Sequence, residues 1–320
     1  RHTTRVSLPA RLGRLRRIER LGAGGFASVW RYHDDELDSD VAVKALADNW
    51  SQRIDIRERF LEEARILRRA DDNHVVRVYD IGETDTGTPY FVMSYADRGT
   101  VADLVADGRA LPVDEALDLV RQAGSGLAVL HRNGIIHRDI KPQNLLLRTA
   151  HHRTELLVAD LGVAKATAHA SGLTQVVGTP AYMAPEQARG EAIDVRADVH
   201  ALGAVAYVLL TGRLVRDEGL NGLLDPRLPP APSTVADVPA ALDPVILRAL
   251  ALRPDDRWPG VDSFLAALDR AHGGDPDAVT ALRDAPTATR RPGALVTALL
   301  AVAVLAVAFA LSYLVTGQVR

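Results

Sequence analysis

The stretch IIHRDIKPQNLLL, Ile135 to Leu147, sets His137, Arg138, Asp139, Lys141, Gln143 and Asn144 between two apolar flanks. A polar loop joining two buried strands is the commonplace source of such a pattern. The chemical alternative is a loop anchored at both ends so that its polar groups converge on a substrate. The rest of the chain decides between the two.

At 320 residues the chain exceeds the size at which one hydrophobic core stops growing, so two packed lobes or domains are expected. Its 47% apolar and 25% charged content is that of a globular protein. A formal net charge of −3 argues against a nucleic-acid partner, because a polyanion demands a basic surface. The absence of cysteine excludes disulfides and thiolate metal sites and fits a reducing compartment.

Composition breaks sharply near the end. Residues 293–315, GALVTALLAVAVLAVAFALSYLV, carry no charge, and a helix of that length runs about 35 Å, enough to cross a bilayer. By contrast ALGAVAYVLLTG, Ala201 to Gly212, has the length of a helix inside a domain. A membrane span over 293–315 is therefore expected. Arg283, Arg290 and Arg291 precede it and only Arg320 follows, which puts the preceding residues on the cytoplasmic side of the cell membrane. Residues 272–292, rich in Gly, Pro, Asp and Thr, read as a linker, and 316–320 as a short extracytoplasmic tail.

Near the other end, LGAGGFASVW from Leu21 to Trp30 carries Gly22, Gly24 and Gly25. A dinucleotide fold needs a helix directly after such glycines, yet Ser28, Val29, Trp30 and Tyr32 favour a strand. A P-loop needs Gly-Lys-Ser/Thr, which is absent. A hairpin remains, whose glycines let backbone N–H groups approach phosphate. VAVKAL then reads as a strand carrying Lys44 among apolar neighbours. In RERFLEEARILRRA, Phe60, Ala64 and Leu67 form a helical stripe with Glu63 one turn from Phe60 and Leu67. A buried lysine requires such a carboxylate. Together, after the hairpin, Lys44 and Glu63 point to a phosphate clamp. TPYFVMSYADRGT reads as a buried strand, Tyr90 to Met93, entering a polar hinge where backbone groups of Ser94 and Ala96 are free for a planar base.

With these parts in place, HRDIKPQN resembles the catalytic loop of the eukaryotic-like protein kinases. The resemblance runs from about Arg17 to Ala271 through GAGGFASV, VAVK, the helix glutamate, HRDIKPQN, DLG at Asp160 to Gly162, APE at Ala184 to Glu186, DVHALG at Asp198 to Gly203 and RPDDRW ending at Trp258. It implies an α+β, bilobal protein kinase fold over residues 12–271, with a small β-rich N-lobe (12–95) and a larger helical C-lobe (96–271), here followed by one C-terminal transmembrane helix. It also implies ATP and Mg²⁺, with Mn²⁺ as a substitute, and protein substrates.

By the same resemblance, Lys44 holds the α/β-phosphates and Glu63 orients it. Asp160 and Asn144 supply oxygen ligands to the metal. Asp139 orients the substrate hydroxyl and accepts its proton, Lys141 offsets charge on the moving phosphoryl group, and Thr179 supports that geometry. Leu21, Gly22, Ala23, Gly24 and Gly25 cover the nucleotide, Val29 and Ala42 roof the adenine pocket, Leu146 floors it and Met93 backs it. Lys141 with Thr179 resembles the serine/threonine version. Autophosphorylation is expected at Thr174 first, then Thr167 and Ser171, with Arg138 receiving the phosphate. Leu67, Val78, His137 and Leu161 resemble the stacked spine that joins the lobes, anchored at Asp198, and Glu186 and Arg257 the buried ion pair of the large lobe. His131, His151 and His152 read as loop or helix-end residues.

The pattern departs from the family at Ala27, in place of the third glycine, at Leu161 for phenylalanine, at His200 for tryptophan, and after Arg213, where the substrate-docking region is short. A kinase, a linker and one span resemble the receptor-like bacterial serine/threonine kinases. Homodimerisation through Ala306 and Ala310, four apart, is an expectation of the span. Two other classes compete: a membrane-tethered pseudokinase scaffold, expected to have lost Lys44, Asp139 or Asp160, and a small-molecule phosphotransferase, expected to lack GTPAYMAPE.

Overall fold

Strand-forming residues between Arg11 and Ser94 build one antiparallel sheet: β1 (Arg11–Leu12), β2 (Leu15–Ala23), β3 (Ala27–Asp34), β4 (Ser39–Leu46), β5 (Val78–Glu83) and β6 (Pro89–Ser94), in the order β1-β2-β3-β4-β6-β5. This computed structural model describes residues 8–161, 180–216 and 227–274. The chain divides into units of residues 1–282 and 283–320, and every described residue lies in the first.

Two helices, α1 (Asp48–Ser51) and α2 (Ile54–Arg69), separate β4 from β5. On α2 the buried residues Ile56, Phe60, Glu63, Ala64 and Leu67 recur every three or four positions, so one face packs inward and carries a carboxylate with it. The Phe60 ring lies 5.0 Å from that of Phe91, which docks α2 on β6. Strand β4 is buried on both sides. Ala42 and Leu46 join the main core under α2, whereas Val41, Val43 and Ala45 join a second cluster with Tyr32 and Val92. A strand covered on both faces reads as a continuous apolar run, hence VAVKAL.

Beyond the hinge come α3 (Val101–Leu104), α4 (Val113–Arg132), the hairpin β7 (Leu145–Ala150) and β8 (Arg153–Val158), α5 (Pro185–Ala188), α6 (Val195–Thr211), α7 (Pro232–Val235), α8 (Asp243–Ala249) and α9 (Val261–His272). Every residue of α6 from Ala197 to Thr211 is buried, as expected of a helix apolar all round at the centre of a lobe. Asp194 caps its start by accepting from Arg196 N–H at 2.8 Å. Gly212 ends it with φ of 68°, a left-handed conformation that suits glycine.

The lobes are joined by more than the hinge. Val76 N–H donates to Val158 O at 2.9 Å and Val158 N–H to His74 O at 2.8 Å, tying the segment before β5 to β8. Helix α4 closes on this junction at Gly126, where an added Cβ would stand 2.5 Å from His74 O. Leu67, Val78, His137 and Leu161 are all buried along this route, and one hydrophobic cluster runs through both lobes. His151 and His152, with φ of 47° and 64°, form the tight turn between β7 and β8.

Among the described residues no helix is long and apolar enough to cross a membrane. The expected span over 293–315, the tail 316–320, the linker from residue 275, Thr179, and the phosphorylation candidates Thr167, Ser171 and Thr174 lie outside the described residues.

Candidate active site

The glycine stretch forms the β2–β3 hairpin, with Gly24 N–H donating to Ala27 O at 2.9 Å. An added Cβ at Gly22 or Gly25 would meet nothing within 4 Å, so these residues border open space. The tip is held from behind by Trp50 of α1, whose Nε1 donates to Gly25 O at 2.7 Å and whose ring stacks on Phe26 at 4.9 Å. Trp50 carried no signal in the sequence, because its partner lies 25 positions away along the chain.

Lys44 projects from β4 on the face covered by α2. Its Nζ lies 2.7 Å from Glu63 Oε1 and 2.6 Å from Asp160 Oδ1, and 5.5 Å from the Phe91 ring centre. Burial works against the ammonium charge, but Asp160 and Glu63 outweigh it and the net shift is upward, so Lys44 stays charged. Asp160 holds a left-handed backbone, φ of 60°, that aims its carboxylate at Lys44.

The opening loop folds around Asp139. Lys141 Nζ lies 3.1 Å from both carboxylate oxygens, and Asn144 Nδ2 donates to the Asp139 carbonyl at 2.6 Å and to Oδ2 at 3.0 Å. Beneath it, His137 is fully buried. Its Nε2 stands 2.9 Å from Ala159 O, which can only accept, while its Nδ1 takes Asp139 N–H at 3.3 Å. These partners select the neutral Nε2–H tautomer, and burial pushes the imidazole pKa down. His137 thus joins the loop to the residues before Asp160. Asp198 of α6 accepts from His137 N–H at 2.7 Å, Arg138 N–H at 2.9 Å and His131 Nε2 at 2.8 Å. His131, read as an ordinary helix-end residue, is therefore part of the loop's anchor.

Two adjoining cavities, sharing Leu21, Gly22, Val29, Gln143, Asn144 and Asp160, lie between the lobes. The inner one, about 730 Å³, adds Ala23, Gly24, Gly25, Lys44, Glu63 and Lys141. The outer one, about 410 Å³, adds Ala42, Met93, Ser94, Ala96 and Leu146. Expected nucleotide residues from both lobes thus face one cleft. Tyr95, Asp97, Gly99, Thr100 and Asp103 line it too and were not singled out from the sequence. Two of them serve the backbone: Asp97 accepts from Thr149 N–H and Asp103 from Thr100 N–H, each at 2.7 Å. One expectation needs correction. Ser94 N–H already donates to Arg77 O at 2.9 Å, so it is not free for a base, because pairing continues one residue further than the strand pattern suggested. A larger cavity, about 950 Å³, between α4 and the β7–β8 hairpin contains none of these catalytic candidates.

Among the described residues no cluster of three or more His, Asp or Glu could hold a metal by itself. Asn144 and Asp160, facing one cleft, suit Mg²⁺, a hard cation that completes its shell with water and phosphate oxygens. Beside Asp139, a cavity of about 20 Å³ is bounded by Lys141, Tyr182, Met183 and Gln187. Glu186 on α5 is buried against Arg257, whose Nη1 and Nη2 donate to its two oxygens at 2.6 and 2.7 Å. His200 accepts from Arg216 Nη2 at 2.8 Å; burial, then Arg257 and Arg216, push its pKa well below the usual imidazole value.

Residues 15–221 match the family model described as protein kinase domain. The serine/threonine-protein kinase PknB of Mycobacterium leprae is 36% identical over 278 residues, which covers 83% of this chain and 44% of the relative. The serine/threonine-protein kinase Pkn1 of Myxococcus xanthus is 39% identical over 272 residues, 82% of this chain and 38% of the relative. The chain thus spans less than half the length of these curated relatives. The crystal structure of the Mycobacterium tuberculosis PknI kinase domain aligns with a TM-score of 0.67 at 28% identity, covering 83% of this chain and 100% of that one.

Proposed function

Because the chain belongs to the protein kinase domain family and groups with its bacterial serine/threonine members, we propose that it transfers the γ-phosphoryl group of ATP to Ser or Thr hydroxyls of proteins. The observation that carries this reading is the bonding of Lys44 to both Glu63 and Asp160 in a cleft that Lys141 and Asn144 also border, both of them bonded to the Asp139 carboxylate. Phosphoryl transfer passes through a loose, anionic transition state, so positioning and charge neutralisation dominate. Lys44, held by Glu63, orients the phosphates. Asp139 aligns the hydroxyl and takes its proton, and Lys141 offsets charge on the group in flight. Asn144 and Asp160 would hold Mg²⁺ or Mn²⁺, which when bound neutralises phosphate oxygens. A pseudokinase scaffold has no need to keep Lys44 bonded to Asp160 and Asp139 bonded to Lys141 and Asn144.

The same reading extends to the rest of the chain. Residues 293–315 anchor it as a single-pass protein of the cell membrane with the kinase domain cytoplasmic, on the strength of their length and lack of charge. Thr174, then Thr167 and Ser171, are the sites of autophosphorylation, supported by an exposed Arg138 beside Asp139. Ala306 and Ala310 offer a small-residue face for a homodimer.

The test is labelled ATP with the full chain in membranes, offering a generic basic protein and small alcohols in parallel. Label is expected on the basic protein and on the chain itself, and Asp139→Asn should cut both by about 10²- to 10⁴-fold. Label on the alcohols alone would favour a small-molecule phosphotransferase, and none anywhere a scaffold. Fractionation should find the full chain with membranes and a chain ending at residue 274 in the soluble fraction.

A further inference from the structure

Arg138 adopts φ of 69°, a left-handed backbone that non-glycine residues avoid and keep only where the surroundings overdetermine it. Asp198 supplies part of that hold by receiving the N–H groups of His137 and Arg138. The next peptide plane consists of the Arg138 carbonyl and the Asp139 N–H, and its tilt sets the direction of the Asp139 side chain. Its N–H end makes a long bond of 3.3 Å to His137 Nδ1. Its carbonyl end receives Gln187 Nε2 at 2.6 Å. A carbonyl can only accept, so the amide nitrogen is the atom that faces it.

Gln187 is well placed to hold something still. It follows Glu186 on α5, and the two bonds from Arg257 pin Glu186 to the lobe. Arg257 in turn donates to Ala251 O at 2.7 Å and to Arg196 O at 3.1 Å. Gln187 also borders the same small cavity as Asp139 and Lys141. A continuous set of contacts therefore runs from the lobe interior, through Glu186 and Gln187, to the peptide plane that carries the catalytic candidate.

We propose that Gln187 is a positioning residue for Asp139, fixing the Arg138–Asp139 peptide plane so that the carboxylate stays aimed at the substrate hydroxyl. The inference rests on the kinase reading above. It differs from that reading in assigning a task to a residue that touches neither nucleotide nor hydroxyl.

Gln187→Met keeps the length of the side chain and removes the donor, whereas Gln187→Lys restores a donor. In the full chain, the Met variant is expected to lose about 10- to 100-fold in kcat, the range that a small misplacement of a reacting group produces, with KM for ATP and the Kd of ADP unchanged. The Lys variant should recover most of that loss. Amide hydrogen exchange over residues 137–141 should quicken in the Met variant and return toward wild type in the Lys variant. Unchanged exchange in Gln187→Met, wild-type kcat in that variant, or a rise in KM and Kd in step with the fall in kcat would overturn the inference. A wild-type chain that transfers no phosphoryl group would count against the kinase reading instead, and the exchange measurement still decides whether Gln187 clamps the loop.

Discussion

Lys44 Nζ lies 2.7 Å from Glu63 Oε1, and both residues are buried, 7% and 2% exposed. Neither charge would be tolerated there alone, since a buried ion without a partner costs several kcal/mol. The pair locks α2 against β4, and Asp160 completes the arrangement from the other lobe.

Lys44→Met removes the cation that pairs Glu63. The expected outcome is loss of transfer together with destabilisation of about 3–5 kcal/mol, read by urea unfolding. Lys44→Met combined with Glu63→Leu should regain stability while activity stays absent. Recovery of activity in the double variant would contradict the assigned role.

Asp139→Asn should lower kcat by about 10²- to 10⁴-fold, the usual contribution of a general base, and leave ADP affinity intact. Asp160→Asn should instead raise the Mg²⁺ concentration needed for half-maximal rate. Steady-state kinetics with varied metal separate the two.

Arg257→Leu leaves the buried Glu186 carboxylate without its bidentate partner. Destabilisation of about 3–5 kcal/mol is expected, and Glu186→Leu in the same chain should return part of it. Denaturant midpoints at constant slope measure both.

Gly126→Ala would bring a Cβ within 2.5 Å of His74 O and 2.9 Å of Val158 Cγ2. The obstacle is backbone on one side and a packed side chain on the other. A loss of about 1–3 kcal/mol is expected, visible as a lower thermal midpoint.

Acid should destabilise the protein well above the carboxylate range. Burial lowers the pKa of His137, and burial with Arg257 and Arg216 lowers that of His200, both from a usual value of 6.5. In the unfolded chain each takes up a proton below that pH while the folded protein stays neutral, so the unfolded state binds more protons and stability rises with pH. Their contribution is complete above about pH 6.5 and is lost as pH falls from there through the folded values. The thermal midpoint should drop between pH 7.5 and 5.5, with a shallower slope in His200→Leu. Asp34 and Asp40, lowered from 3.8, act only in a more acid window.

Much of this site is legible in one dimension because its residues come in short, ordered motifs. Gly22 to Gly25 belong to a hairpin whose strand signals flank them, Lys44 to an apolar strand, and Asp139 to Asn144 to one turn of loop. Partners that act across the chain are less visible. Trp50 braces Gly25, His131 bonds Asp198, Asp97 caps Thr149 and Gln187 bonds Arg138, and no local periodicity reports any of these pairs. Ser94 shows the converse: the end of its strand suggested free backbone groups, but the carbonyl of Arg77, seventeen positions earlier, takes its N–H.

Residue order alone pointed to the family, the two-lobed division and the main charged groups at the cleft, since those depend on local chemistry repeated at fixed spacing. Whether Lys44 meets an aspartate 116 positions away, which backbone groups of the hinge stay open, and what holds Arg138 in its left-handed turn were decided only by packing. Such contacts arise when separate elements bury a common core, and their geometry follows from the whole set of packed neighbours.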